Sequence, residues 1–181
     1  MKKAIFVDRD GVLIKAPLVD GKPKSIKKLK LCKIISGVIS GLKLLRENFI
    51  IIMITNQPDV YRKNVKKKDV NKINSFLKKK LQIDDIFVCY HDNVHKCSCR
   101  KPKPGMILLA KKKWKIDLKQ SYLVGDRASD IVAGKKVGCT NFFINYGYNE
   151  KLPSKNDCFY VKSFYAAALK IEKILKEKKH H

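Results

Sequence analysis

The sequence predicts an α/β fold built on a parallel sheet, and three observations lead there. Short apolar runs alternate with longer amphipathic stretches along the chain, the pattern of successive βαβ units. The run Phe49–Ile54 is continuously apolar, as a strand buried on both faces must be. Polar residues that can do chemistry stand where such runs end, and α/β sheets bind ligands at that edge.

Taken in order, Ile5–Asp8 reads as the first strand. Ile35–Asn48 places Val38, Ile39, Leu42 and Leu45 at helical spacing, and Phe49–Ile54 follows as the second strand. Val70–Leu81 reads as a lysine-coated helix presenting Ile73, Phe76, Leu77 and Leu81, and Ile86–Cys89 as a third strand. Met106–Trp114 is a helix, Ser121–Gly125 a fourth strand and Asp130–Val137 a short helix. Asn141–Ile144 is the fifth strand, and Ser163–Lys176 closes the fold as a helix. The stretch Lys15–Lys33 is too short and too polar for a separate cap, so residues 1–181 read as a single domain.

Composition narrows the function classes. No run of apolar residues is long enough to span a membrane, and Asp8 breaks the short apolar start, arguing against a signal peptide and for a cytoplasmic protein. The formal net charge is +25, which invites a nucleic-acid reading. Yet the cations are nearly all Lys, with only Arg9, Arg46, Arg62, Arg100 and Arg127 as arginines, whereas specific readers lean on Arg and interleaved aromatics. Weak attraction to polyanions is expected, a specific nucleic-acid partner is not, and a phosphorylated substrate would feel the same field. His180 and His181 are either native or the remnant of a tag.

The first strand ends in Asp8-Arg9-Asp10-Gly11. In extended chain, Asp8 and Asp10 point to the same side, and two converging carboxylates call for a hard cation such as Mg²⁺. An Asp-Gly turn after a strand is the plain alternative. Thr55-Asn56-Gln57 after the second strand offers a hydroxyl and an amide to phosphate oxygens. Cys99-Arg100-Lys101-Pro102 sets adjacent cations before a stiffening proline. Gly125-Asp126-Arg127 ends the fourth strand, where Asp126 can join Asp8 and Asp10 around one cation. Asp130 lies near a helix start, where it can serve as a cap or support the metal.

Cys89-x-His91-x₅-Cys97-x-Cys99 supplies three thiolates and an imidazole, a closed tetrahedral set for structural Zn²⁺ in a loop of about residues 89–105. His95 is a spare imidazole in that loop; the spacing of His91 mirrors the Cys97/Cys99 pair and favours His91. The zinc would stiffen a loop without secondary structure of its own and hold Arg100 and Lys101 in place.

In this order and at successive strand ends, Asp-x-Asp-Gly, Thr-Asn, Lys and Gly-Asp resemble the haloacid dehalogenase superfamily of phosphohydrolases, from Ile5 to about Gly147. The resemblance implies a Rossmann-like three-layer sandwich without a large cap. It implies that Asp8 is a nucleophile, that Asp10 is the general acid and base, and that Thr55 and Lys101 cradle the phosphoryl group. It further implies Mg²⁺ held by Asp8, the backbone carbonyl of Asp10, and Asp126.

The zinc loop running into Cys-Arg-Lys-Pro-x-Pro-Gly-Met is similar to one branch, the D-glycero-D-manno-heptose 1,7-bisphosphate 7-phosphatases and the related histidinol-phosphate phosphatases. The Pro-Gly-Met ending favours the heptose branch. There Asn56, Arg100 and Arg127 would contact substrate, although Arg127 stands where that branch more often has Lys. The expectation is a monomeric, Mg²⁺-dependent, zinc-containing phosphatase acting on a phosphorylated sugar. A histidinol-phosphate phosphatase, a polynucleotide 3′-phosphatase and a non-catalytic zinc-stabilised nucleic-acid-binding module are the alternatives, in that order.

Overall fold

A computed structural model describes residues 1–179; His180 and His181 lie outside the described residues. Six parallel strands form one sheet: β1 (Ala4–Val7), β4 (Ile50–Asn56), β5 (Asp85–Cys89), β6 (Tyr122–Gly125), β7 (Thr140–Ile144) and β8 (Phe159–Val161). Their spatial order is β5-β4-β1-β6-β7-β8. A small antiparallel hairpin, β2 (Leu18–Val19) with β3 (Lys22–Pro23), stands apart from the sheet. The helices are α1 (Val38–Leu45), α2 (Lys67–Lys80), α3 (Gly105–Trp114), α4 (Ala128–Lys135) and α5 (Phe164–Lys179).

Strand pleating explains the layers. In β1, Ile5 and Val7 face a core shared with α1, α2 and α5, while Ala4 and Phe6 face a second core under α3 and α4. In β4, Ile51 and Met53 point to the first core, Ile52 and Ile54 to the second. Both faces are covered, which is why these strands are apolar throughout. The result is the expected three-layer parallel sandwich. From β1 the chain moves out to β4 and β5; it then returns to β6 on the other side of β1. The reversal opens a crevice at the carboxyl ends of β1 and β6, where such sheets bind ligands.

The differences from the sequence reading are local. The helix expected over Ile35–Asn48 is only α1, Val38–Leu45: Gly37 precedes it with φ 81, a left-handed geometry that no helix interior adopts. Ile39 and Phe76, expected on apolar faces, are 56% and 38% exposed. Strand β8 and the β2–β3 hairpin were not anticipated; each is only two or three residues long, too short for periodicity to register. Helix α4 starts at Ala128, earlier than expected, because Asp130 caps it from within: its Oδ2 accepts the Arg127 backbone N–H at 3.0 Å. Among the described residues, no helix is long and apolar enough to cross a membrane.

Candidate active site

A cavity of about 490 Å³ opens at this sheet edge. Its wall takes Asp8 and Asp10 from the end of β1, Asn56 from β4, Arg100 and Lys101 from the loop after β5, and Arg127 and Asp130 from the start of α4. The hairpin contributes Lys22, and Lys24 and Ser25 follow it. The residues singled out by sequence thus converge from four separate strand ends.

At its floor, one ammonium serves three acceptors. Lys101 Nζ lies 3.0 Å from Asp8 Oδ1, 2.7 Å from Asp130 Oδ1 and 3.0 Å from the Ile54 carbonyl. Lys101 is buried, and burial works against its charge, yet Asp130 and Asp8 hold its pKa above the ordinary lysine value. Asp8, Asp126 and Asp130 each place one carboxylate oxygen within 4.8 Å of the others. Burial pushes Asp8 up to about 6, with Lys101 pulling down and Asp130 and Asp10 pushing further up. Asp126 is raised well above the carboxylate range by burial, Asp8 and Asp130.

With all three carboxylates ionised, the cluster and its one ammonium would carry a net charge of −2, and Asp126 Oδ1 is buried without a hydrogen-bond partner among the described residues. Hard oxygen donors, this charge and an unsatisfied buried oxygen fit a divalent cation such as Mg²⁺. Glycines make the room. Gly11 has φ +85, and a Cβ there would fall 1.9 Å from Asp126 Oδ2; a Cβ on Gly125 would fall 2.3 Å from the Asp130 side chain.

Asp10 lines the same cavity; one oxygen of its carboxylate, Oδ2, is engaged by neighbours, while Oδ1 has no hydrogen-bond partner among the described residues. Its Oδ2 accepts from Arg9 Nε (3.1 Å) and Nη2 (2.9 Å), Gln57 Nε2 (2.9 Å) and Ser25 Oγ (3.1 Å). Arg9 is fully buried and its remaining donors reach Asn74 Oδ1 on α2 (3.0 Å) and Gln57 Oε1 (2.8 Å). The carboxylate that clusters with Asp8 and Asp126 is that of Asp130, while Asp10 is clamped through Oδ2 and keeps Oδ1 unengaged among the described residues. The physical reason is Arg9: a buried guanidinium requires a carboxylate, and Asp10 is its neighbour.

Thr55 and Asn56 also differ from expectation. Thr55 is buried behind the cavity wall, where its Oγ1 accepts from Gln57 Nε2 at 2.9 Å. Asn56 lines the cavity, but both ends of its amide bond the Lys101 backbone, Nδ2 to the carbonyl and Oδ1 from the N–H, each at 3.1 Å. In this structure both side chains hold neighbours in place.

The cysteine cluster forms as expected. Cys89, His91, Cys97 and Cys99 put their ligand atoms within 4.8 Å of one another. Sγ and Nδ1 separations run from 3.2 Å (Cys89–Cys99) to 3.8 Å (Cys89–Cys97). Tetrahedral zinc with thiolate bonds of about 2.3 Å has ligand–ligand edges of roughly 3.5–3.8 Å, so the set fits zinc. Burial pushes the Cys89 thiol up to about 12, so the cluster needs a cation to draw it into thiolate form. His95 stays outside: its Nδ1 accepts the Asp92 N–H at 3.1 Å within a short 3₁₀ turn, Asn93–His95, a structured element in a loop expected to have none. Arg100 is fixed by that same turn. Its Nε donates to Asn93 Oδ1 (2.8 Å) and Nη1 to the His91 carbonyl (3.2 Å).

Arg127, on the opposite wall, is gripped by Glu150 through Nε and Nη2. Sequence reasoning missed Glu150, Tyr148 and Asn74, and gave Gln57, within its motif, no role of its own. The first two follow β7 in a segment without periodicity, and Asn74 sits among the lysines of α2 with nothing local to mark it.

A family model described as polynucleotide kinase 3 phosphatase matches residues 3–175. D-glycero-alpha-D-manno-heptose-1,7-bisphosphate 7-phosphatase of Photorhabdus laumondii is 37% identical over 168 residues, covering 85% of this chain and 88% of that one. A histidine biosynthesis bifunctional protein of Buchnera aphidicola is 32% identical over 144 residues, 77% of this chain but only 40% of that protein. Among solved structures, a D,D-heptose 1,7-bisphosphate phosphatase from B. bronchiseptica, complexed with magnesium and phosphate, superposes with a TM-score of 0.80. It is 26% identical, with 97% of this chain and 99% of that one covered.

Proposed function

The chain belongs to the polynucleotide kinase 3 phosphatase family, within the haloacid dehalogenase superfamily of phosphatases, and from that premise we propose that it hydrolyses a sugar bisphosphate, releasing the 7-phosphate of D-glycero-D-manno-heptose 1,7-bisphosphate. The observation that carries this reading is the Asp8–Lys101–Asp130–Asp126 cluster on the floor of a cavity walled by cations.

Asp8 attacks phosphorus to give an aspartyl-phosphate. Asp10 protonates the departing sugar oxygen and then takes a proton from the water that cleaves the intermediate. Lys101 moves from balancing carboxylates to balancing the phosphoryl oxygens, the main charge the site must stabilise. Asp8, Asp126 and the backbone carbonyl of Asp10, with Asp130 beside them, would hold Mg²⁺, which would supply Lewis-acid neutralisation of phosphate charge. Cys89, His91, Cys97 and Cys99 would hold a structural Zn²⁺, which would stiffen the loop that carries Arg100 and Lys101. Asn56 and Thr55 act by holding Lys101 and Gln57.

Substrate choice follows from charge. Lys22, Lys24 and Arg100 line the cavity without a carboxylate partner among the described residues, more cation than one phosphate consumes. A second phosphate on the substrate suits them, whereas the cationic histidinol moiety does not. The thiolate cluster favours a reducing, cytoplasmic setting. Phosphate release should be compared across both anomers of the heptose bisphosphate, histidinol phosphate, fructose 1,6-bisphosphate and a 3′-phosphorylated oligonucleotide. The expected result is a kcat/KM at least about a hundredfold higher for one heptose anomer, a gap of about 2.7 kcal/mol. Preference for histidinol phosphate or the oligonucleotide would replace the substrate assignment.

A further inference from the structure

Beyond β7 the chain runs back over the site as a strap, Asn145–Glu150, tied at three points. The Asn149 N–H donates to the Gly21 carbonyl in the hairpin turn at 3.0 Å. Glu150 grips Arg127. Between them, the Tyr148 hydroxyl donates to Asp126 Oδ2 at 2.9 Å. Tyr148 and Asp126 are 22 residues apart, so only the strap's path brings them together. Space for the pair is kept by Gly11, where a Cβ would lie 1.9 Å from Asp126 Oδ2 and 3.1 Å from the Tyr148 hydroxyl.

The bond is one-sided. Tyr148 occupies Oδ2, while Asp126 Oδ1 is buried and has no hydrogen-bond partner among the described residues. A phenol is a donor at neutral pH, so it can bond the carboxylate but cannot bind a cation in its place. We propose that Tyr148 is a positioning residue for the divalent cation: by holding Asp126 Oδ2 it fixes the carboxylate rotamer and keeps Oδ1 free as the metal-binding oxygen. Glu150 and Asn149 keep the strap seated, so this part of the metal site is set by a segment outside the sequence motifs. Partners behind metal ligands commonly account for about ten- to a hundredfold in affinity. The inference rests on the proposed magnesium site, with Asp126 as one of its ligands.

The test is Mg²⁺ binding by isothermal titration calorimetry to wild type and Tyr148→Phe, with kcat measured at saturating Mg²⁺. Tyr→Phe removes one hydroxyl and keeps the ring, and a thermal melt checks that the variant folds. The expected result is an Mg²⁺ Kd weakened about tenfold, with kcat at saturating Mg²⁺ within about threefold of wild type. An unchanged Kd overturns the inference and leaves the metal site standing, as does a fall in kcat that excess Mg²⁺ does not restore. A wild-type protein that binds no Mg²⁺ overturns the metal site itself, and the inference with it.

Discussion

Asn56 holds Lys101 by both edges of one amide, its Nδ2 donating to the Lys101 carbonyl and its Oδ1 accepting the Lys101 N–H, each at 3.1 Å. The two residues are 45 positions apart, so this pair of bonds locks the end of β4 to the exit of the cysteine-rich loop. It explains how a lysine on a long loop can stand within 3.0 Å of Asp8. Asn56→Leu keeps the size and removes both bonds. Misplacing a catalytic group by about 1 Å can cost a hundredfold, so kcat/KM should fall by tens to about a hundredfold. Steady-state kinetics beside a thermal melt checks this; activity within threefold of wild type would show that the clamp is dispensable.

The donors gathered on Asp10 Oδ2 assign a role to Gln57, which joins Asp10, Arg9 and Thr55. If Asp10 delivers a proton to the leaving oxygen, loosening its clamp should matter most when the leaving group is poor. Gln57→Met should lower kcat/KM about tenfold or more on an alkyl phosphate and much less on p-nitrophenyl phosphate, whose leaving group needs little help. Equal losses on the two substrates would point to a general disturbance of the site.

Cys99 contributes to the metal cluster and immediately precedes Arg100 and Lys101. Cys99→Ser should bind substoichiometric zinc by metal analysis, melt at lower temperature and lose activity, because metal binding here is folding energy for the loop. A fully zinc-loaded variant would remove Cys99 from the ligand set.

Asp8, raised by burial to about 6, makes stability pH-dependent with a definite sign. Its folded pKa exceeds the ordinary 3.8, so the metal-free protein has this contribution in full below about pH 4 and loses it as pH rises through about 6. A cation reverses the penalty by binding the ionised form. Mg²⁺ should therefore raise the melting temperature more at about pH 7.5 than at about pH 5. An equal or larger shift at the lower pH would contradict the cluster's assignment to a cation.

Much of this was readable from sequence where chemistry and periodicity coincide. Asp8 and Asp126 stand at strand ends, Lys101 follows on the loop after β5, and the three meet in the fold; the ligand atoms of Cys89, His91, Cys97 and Cys99 cluster as the sequence reading expected. What sequence could not show depends on side-chain direction. Asp10 follows Asp8 with the right parity, yet the buried guanidinium of Arg9 claims its Oδ2 and draws that oxygen away from the cluster. Asp130 suits a helix cap and is one, but the same carboxylate also meets Lys101. Tyr148, Glu150 and Asn74 reach the site by tertiary path alone, and no local pattern announces that.

If Asp8 is the nucleophile, the phosphoryl group must pass through its carboxylate. An acyl phosphate is reduced by borohydride, so turnover quenched into borohydride and mapped by mass spectrometry should show the side chain at position 8 converted to that of homoserine. The same treatment of Asp8→Asn should show neither the adduct nor phosphate release. Sustained turnover by Asp8→Asn, or a reduced adduct at another carboxylate, would contradict the assignment.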